Sequence, residues 1–222
     1  MSSHTDPRPS PEFHSSRPGR PRLGEEEERR QRVLDAAFAV LIERGYQRTT
    51  MLAVARRAGA SKETLYSWFG SKQGLFTAMI QRQSAAMNRR LRDSLAGDED
   101  LETTLTALAA DMLELLLGER ALALNRAAMS EPELAAALLE HGRHATGPLV
   151  EEYLAREISQ GRLPAVDPAE AFRVFYGLLI QDQQIRALLG DTSLNRAAID
   201  EQARFTVRRF LLLVKAEGDA TI

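Results

Sequence analysis

The chain has 222 residues, of which 44% are hydrophobic and 27% are charged, and its net charge is −2. This composition is typical of a soluble globular protein with one or two domains, and the absence of cysteine excludes disulfides, thiol catalysis and cysteine-ligated metal sites. The sequence has neither an apolar run of about 18 residues nor a signal-peptide pattern, so we expect a cytoplasmic protein with no membrane partner.

Charge is unevenly distributed along the chain. Residues 1–80 hold 13 basic and 9 acidic residues, whereas residues 81–222 hold 16 basic and 22 acidic ones. A basic N-terminal part on an acidic body favours a protein that binds nucleic acid with one end.

Residues 1–23 form a predicted disordered arm, because they hold five of the nine prolines and show no apolar period. The arm ends in Arg17-Pro18-Gly19-Arg20-Pro21-Arg22, which resembles the Gly-Arg-Pro core of an AT-hook, although Pro18 stands where arginine is usual. A narrow A·T minor groove concentrates negative potential, so Arg20 and Arg22 are candidate minor-groove contacts. A solvated tail that adds only nonspecific attraction is the alternative.

A first helix is predicted over residues 25–44. Acidic residues 25–28 lie at its start, where they favour the positive end of the helix dipole. An apolar stripe with a period near 3.6 follows, and Gly45 ends the helix. At about 1.5 Å per residue, this helix would be about 30 Å long and would cover the two shorter helices that come next.

Two short helices joined by a tight turn are predicted next. Thr50 is a good N-cap for the first, and Gly59 supplies the residue with positive φ that ends it. Ser61 caps the second, in which Leu65 and Phe69 lie four residues apart and face inward. This arrangement is the helix-turn-helix unit, whose second helix enters the major groove of DNA with its N-terminal residues toward the base edges.

The local charge agrees with a phosphate partner, because residues 44–72 contain six basic residues and one acidic residue, Glu63. We expect Lys62, Thr64 and Tyr66 to lead the contacts to bases and phosphates. Glu63 would repel a phosphate or accept a hydrogen bond from a cytosine amino group. The alternative is a compact helical trio whose basic face is only solvated. The residues expected to hold the DNA backbone are Arg48, Thr49, Thr50, Trp68 and Lys72.

At these positions the sequence resembles the TetR/AcrR family of transcriptional regulators, with departures at Ala60, Glu63 and Trp68. The resemblance implies a DNA-binding domain over residues 24–72 and a helical effector-binding and dimerisation domain over residues 73–222. The residues that carry it are Thr49, Val54-Ala55, Ala58-Gly59-Ala60-Ser61, Leu65-Tyr66, Trp68-Phe69 and Ser71-Lys72.

The rest of the chain shows repeated helix starts and stops and no strand pattern, which predicts an all-α protein. Ser130-Glu131-Pro132-Glu133 is interpreted as a capping box with an early proline. Gly147-Pro148 is predicted to separate two helices. Asp167-Pro168 begins a helix that is expected to run to Leu189, and a last helix follows Gly190.

The last two helices carry more apolar residues than one buried face requires, because Leu178, Ile180, Leu212 and Leu213 fall beside the inner stripes. The second face could meet another copy of the chain. The TetR resemblance implies a homodimer in which these helices form a four-helix bundle. Two recognition helices would then lie about one DNA turn apart and require a near-palindromic operator of double-stranded DNA.

The body also resembles the C-terminal domains of AefR-like members of that family, in residues 121–126 and 175–190. Family members commonly bind a small molecule among the middle helices, so we expect a small apolar effector and no cofactor. Methionine suits an adaptable apolar pocket, and Asn125 could orient a ligand. Plain core packing is the alternative for each candidate lining residue, namely Met87, Met112, Leu116, Asn125, Met129, Tyr153 and Phe175.

These observations favour a homodimeric repressor that a ligand releases from DNA. A second hypothesis is a ligand-independent regulator that uses the arm on A·T-rich DNA.

A third is a helical enzyme, since His141 and His144 lie three residues apart and could share a metal. Gly142 and Arg143 stand between them where a zinc-protease helix carries glutamate, so a surface pair is the simpler interpretation and no metal is expected. The sequence has no serine elbow, glycine-rich phosphate loop or paired-carboxylate signature, so we expect no enzyme activity.

Overall fold

The computed structural model describes residues 23–97, 99–191 and 195–220, and within them every regular element is helical. The predicted all-α class is confirmed for this part of the chain. A π-helical segment, Leu139–Arg143, joins α7 to α8. The α-helices are α1 (Leu23–Arg48), α2 (Met51–Ala58), α3 (Lys62–Phe69), α4 (Lys72–Leu95), α5 (Leu101–Leu116), α6 (Glu119–Ala128), α7 (Pro132–Leu138), α8 (His144–Ser159), α9 (Pro168–Ile180), α10 (Gln183–Leu188) and α11 (Arg196–Ala220).

Side-chain caps begin several helices where the sequence indicated them. The hydroxyls of Thr50 and Ser61 accept from the backbone N–H three residues on, each at 3.1 Å, and Ser71 does so at 3.0 Å. Gly59 ends α2 with φ 62° and ψ 33°, the left-handed geometry that glycine adopts without strain. Gly45 (φ 72°) kinks α1 at the predicted position, and the helix continues to Arg48.

Three predicted boundaries in the body are wrong. Glu131, and not Ser130, is the N-cap of α7, because the Ser130 hydroxyl donates to the Ala127 carbonyl instead. Pro148 lies inside α8, where the burial of Val150 and its neighbours offsets the roughly 3 kcal/mol cost of a helical proline. The helix predicted from residue 168 to 189 is divided into α9 and α10, because Gln181 adopts φ 43° and turns the chain.

Two apolar cores succeed each other along the molecule. The first joins α1, α2 and α3 to the start of α4 and to residues of α6 and α7. The second joins the end of α4 to α5, α8, α9 and α11. Helix α4 therefore belongs to both cores, through Leu75 and Phe76 in the first and Leu91 and Leu95 in the second.

A search for membrane-spanning helices over the described ranges finds none with the length and apolarity required.

Candidate nucleic-acid interface and inter-helix cavity

Helix α3 is anchored by one face and open on the other. Leu65 (0% exposed) and Phe69 (8% exposed) lie in the first core. On the opposite side Lys62 and Tyr66 face solvent, with the Lys62 ammonium 5.5 Å from the centre of the Tyr66 ring, and Thr64 is half-buried beside the Ser61 cap. Lys62 and Tyr66 are thus accessible on one surface, and Thr64 is partly accessible. Their contact with DNA stays a prediction.

Glu63 shares this surface and is exposed. Its own backbone N–H and the Ser61 hydroxyl hold the pKa of its carboxyl below the ordinary value, with a further contribution from Lys62. The group is therefore anionic at neutral pH, at the positive end of the α3 dipole. An anion here discourages a close phosphate and can accept from a cytosine amino group, so it would contribute to sequence preference.

A shallow basic groove lies between α1 and α2, which share the first core with α3. Arg44, Arg48 and Arg56 are exposed along it, together with the Thr50 cap. Arg57 also borders the groove, but its guanidinium is paired with Glu43 at 2.5 Å. The sequence prediction included Arg48 and Thr50 and missed Arg44 and Arg56 as individual site residues, although the local charge count already contained their signal.

Three of the predicted backbone contacts have partners inside the protein. Thr49 is fully buried and donates its hydroxyl to the Gly45 carbonyl at 2.8 Å, so its side chain offers DNA no exposed surface and its contact with the DNA backbone stays a prediction. Lys72 donates from Nζ to the Tyr46 carbonyl at 2.6 Å, and this hydrogen bond links α4 to α1. Burial lowers the pKa of the Lys72 ammonium. Trp68 is half-buried and donates to Glu26 Oε1 at 3.2 Å, so its indole N–H would have to exchange partners to bind DNA.

Arg20 and Arg22 lie outside the described residues, so the minor-groove prediction stays a prediction.

A cavity of about 210 Å³ lies among the middle helices and the π-helical segment. Four predicted lining residues border it: Met87, Met112, Leu116 and Asn125. The other lining residues are Leu138, Leu139, Gly142, Arg143, Thr146, Gly147, Phe172, Tyr176 and Gln184.

The other three predicted lining residues lie elsewhere. Met129 is 65% exposed at the end of α6. Phe175 is buried against the ring of Phe210, with centroids 5.3 Å apart, so plain core packing accounts for it. Tyr153 borders a separate cleft, where the Arg156 guanidinium lies 5.1 Å from its ring centre.

The two histidines of the enzyme hypothesis do not assemble a metal site in the described part of the chain. His141 Nε2 lies 3.2 Å from Gln81 Nε2, and His144 is exposed. Over residues 23–97, 99–191 and 195–220, no cluster of three or more histidine, aspartate or glutamate side chains could hold a metal ion.

Helices α9 and α11 pack against each other, and both carry apolar side chains that the second core does not fully cover. Leu212 is 64% exposed and Leu213 is 44% exposed, while Leu178 and Ile180 are half-buried. Consecutive exposed leucines on a long helix are a feature of association surfaces.

A capped and outward-facing α3, a basic groove between α1 and α2 and a separate helical body define a helix-turn-helix DNA-binding transcriptional regulator. The chain belongs to the TetR family. The family model described as bacterial regulatory proteins of the tetR family matches residues 33–79, and the model of the AefR-like transcriptional repressor C-terminal domain matches residues 103–213.

Known relatives agree with this assignment. The HTH-type transcriptional repressor KstR of Mycolicibacterium smegmatis is 30% identical over 197 residues, which are 84% of this chain and 87% of that protein. The crystal structure of a TetR transcriptional regulator from Agrobacterium tumefaciens has 34% identity and a TM-score of 0.69, with 83% of this chain and 93% of that chain covered. FadR from Bacillus subtilis, solved in complex with stearoyl-CoA, shares the fold at 16% identity, with a TM-score of 0.69 and coverage of 82% and 97%.

Proposed function

We propose that this protein is a homodimeric repressor that leaves its operator when a small molecule enters the inter-helix cavity. The observation that carries the proposal is the position of α4. Its first half packs in the core of the DNA-binding helices, and Met87 in its second half borders the cavity. A ligand that displaces α4 therefore acts on the same helix that supports α3.

The DNA contacts would come from two surfaces. Lys62, Thr64 and Tyr66 on α3 would reach base edges and phosphates, and Arg44, Arg48 and Arg56 would bind the backbone of one strand beside Thr50 and Trp68. Such a protein acts where the chromosome is, so we place it in the cytoplasm.

The homodimer is supported by the exposed leucines of α11. A twofold arrangement of α9 and α11 would bury Leu212 and Leu213 and place two copies of α3 on successive major grooves of a near-palindromic site.

The relatives support repression and ligand binding as general properties of such proteins. KstR is named a repressor, and FadR was crystallised with stearoyl-CoA. FasR of Mycolicibacterium smegmatis, 38% identical over 81 residues that are 37% of its length, is named an activator. We favour repression because KstR, whose match covers 84% of this chain, is named a repressor.

The test begins with selection of a duplex from a random pool by the full chain. The affinity of the selected duplex is then measured at several salt concentrations for the parent and for Lys62→Ala. We expect the mutant to bind about tenfold more weakly and to show a smaller salt slope. Arg92→Ala, which removes an exposed cation at the far end of α4, is the matched control and should resemble the parent.

Two results would contradict these assignments. Equal affinity of Lys62→Ala and the parent would reject the α3 contacts. Failure to enrich any duplex would reject DNA binding itself.

Ligand-independent regulation through the arm is the alternative, and it rests on the Gly19-Arg20-Pro21 segment. It predicts that removal of residues 1–23 abolishes most of the affinity. Our proposal predicts that the shortened chain keeps its operator and loses only the nonspecific part of the affinity.

A further inference from the structure

We infer that the cavity is shaped for a compact aromatic acid, with its ring among Met87, Met112 and Phe172 and its carboxylate on Arg143. The inference rests on the proposed function, because it names the class of effector that the cavity would take.

The size of the cavity limits the effector to a small molecule. Drug-sized ligands occupy pockets of about 300–1,000 Å³, whereas an apolar cavity of about 150 Å³ holds one benzene molecule. At about 210 Å³, this cavity has room for one ring with one or two small substituents. A long acyl chain is too large for this volume and would have to extend beyond the cavity.

The charge of the lining favours an anion. Of the described residues that border the cavity, Arg143 is the one with a charged side chain, and no aspartate or glutamate lies among them. The Arg143 guanidinium lies 4.8 Å from the centre of the Tyr176 ring, and no described carboxylate forms an ion pair with it. Arg143 is exposed and also hydrogen-bonds the Tyr176 hydroxyl, which uses one of its five N–H donors. The remaining donors can bind a carboxylate, which guanidinium holds in a bidentate manner.

The walls favour an aromatic body. Met87 and Met112 are polarisable and adapt to a ring edge, and Phe172 and Tyr176 offer aromatic faces with centroids 6.0 Å apart. Asn125 adds one polar anchor, because its Nδ2 donates to the Ala121 carbonyl at 2.8 Å and its Oδ1 has no donor among the described residues. That oxygen could accept from a ring hydroxyl.

The π-helical segment presents the cation to the cavity. Leu139, Gly142 and Arg143 all border the cavity, and the wider turn of a π-helix changes which side chains share a face. π-Helical turns are frequent at functional sites, which agrees with a binding role for this one. A Cβ atom built on Gly142 meets nothing within 4 Å, so a larger side chain there would extend into open space.

The test measures binding to the full chain by calorimetry in the absence of DNA. The probes are benzoate, 4-hydroxybenzoate, the neutral ester methyl benzoate and stearoyl-CoA. We expect at least one of the two acids to bind, at least about tenfold more tightly than the ester, because its charge-assisted hydrogen bonds to Arg143 are lost in the ester. Arg143→Gln should lower the affinity for that acid about tenfold and leave the affinity for the ester unchanged.

Two further variants separate binding from folding. Arg156→Gln is the matched control, because Arg156 also lies over a tyrosine ring, at 5.1 Å, but outside the cavity, and it should bind the acids like the parent. Gly142→Leu adds a side chain at the cavity wall where a Cβ meets no atom within 4 Å, so it should lower the affinity for all the small probes while its helical circular dichroism and melting temperature stay near those of the parent.

The inference is overturned if the ester binds as tightly as the acids, if Arg143→Gln binds the acids like the parent, or if stearoyl-CoA alone binds. Failure of every probe at about 10 mM, weaker than any useful effector affinity, also overturns it. These outcomes leave the operator measurements intact, so the effector class can fail while DNA binding stands. An acid that binds the cavity without weakening the operator complex would instead reject ligand release.

Discussion

Gly74, in the first turn of α4, lies close to the end of the recognition helix α3. A Cβ atom at this position would lie 2.0 Å from the carbonyl oxygen of Phe69, the last residue of α3, so a side chain here forces the two helices apart. We expect Gly74→Ala to destabilise the first core by about 1–3 kcal/mol and to weaken operator binding by about tenfold or more, because α3 shifts.

The measurement is chemical unfolding together with operator affinity. Gly24→Ala makes the same chemical change at a helical position where a Cβ meets nothing within 4 Å, so it should keep both properties. A Gly74→Ala protein with parental stability and affinity would contradict the close approach.

Glu157 makes stability depend on pH. Its side chain is 3% exposed and accepts from Arg162 Nε and Nη2 at 2.5 and 2.8 Å, and these bonds hold its pKa below the ordinary value. A lowered folded-state pKa means that ionised Glu157 contributes stability that is fully present above the ordinary glutamate pKa. This contribution is lost as the pH falls through the lowered value.

We expect Glu157→Gln to lower the free energy of unfolding by about 1–3 kcal/mol at neutral pH. The difference from the parent should shrink when urea unfolding is repeated in steps below the ordinary glutamate pKa, as the pH approaches the lowered value at which the folded parent also binds this proton. A difference that is constant over this range would show that Glu157 acts through packing and not through its charge.

At the scale of single elements, α11 has more apolar surface than its own chain covers. Its inner residues Ala203, Val207 and Phe210 are fully buried, whereas Leu212 and Leu213 are open. We expect Leu212→Glu combined with Leu213→Glu to convert a dimer into a monomer, because the charges would have to be buried in the interface.

Light scattering coupled to size-exclusion chromatography measures the change. Met129→Glu places one such charge outside α9 and α11, on an apolar residue about as exposed as Leu212, and it should leave the mass unchanged. A double mutant that keeps the mass of the parent would place the dimer interface elsewhere.

Local chemistry made the recognition unit predictable from sequence. Thr50, Gly59 and Ser61 each act within a few residues, so their caps and turn could be identified without any long-range contact. The cavity was predicted only in part, because its walls come from residues 87 to 184 and their shared position depends on the packing of eight helical elements, α4 to α10 and the π-helical segment. Arg143 was missed because a π-helical segment alters the helical period that sequence reasoning assumes.

At the scale of the whole molecule, Asp35 joins the DNA-binding helices to the body. Its Oδ1 accepts from Arg82 of α4 at 2.9 Å and from Arg120 of α6 at 3.0 Å. Exposed pairs of this kind each contribute about 0–1 kcal/mol to stability, so the fold does not depend on them. They link α1 to both α4 and α6, the helices whose relative position a ligand would have to change.

We therefore expect Asp35→Asn to keep the parental stability within about 1 kcal/mol and to reduce the ratio of operator affinities without and with the bound aromatic acid. Glu43→Gln is the control, because Glu43 is equally exposed, at 47%, and its pair with Arg57 lies within the DNA-binding helices. An unchanged ratio in Asp35→Asn would show that the ion pairs of Asp35 do not couple ligand binding to operator affinity.

The continuity of α4 has a mechanical consequence. After its first turn the helix contains neither glycine nor proline, so it should move as a stiff rod. The twelve residue-to-residue steps from Leu75 to Met87 span about 18 Å at about 1.5 Å each. A pivot of about 5° at the ligand end would then swing the opposite end by about 1.5 Å, half the length of a hydrogen bond. In a twofold homodimer both copies of α3 would move. The distance between them would then no longer match one helical turn of the duplex.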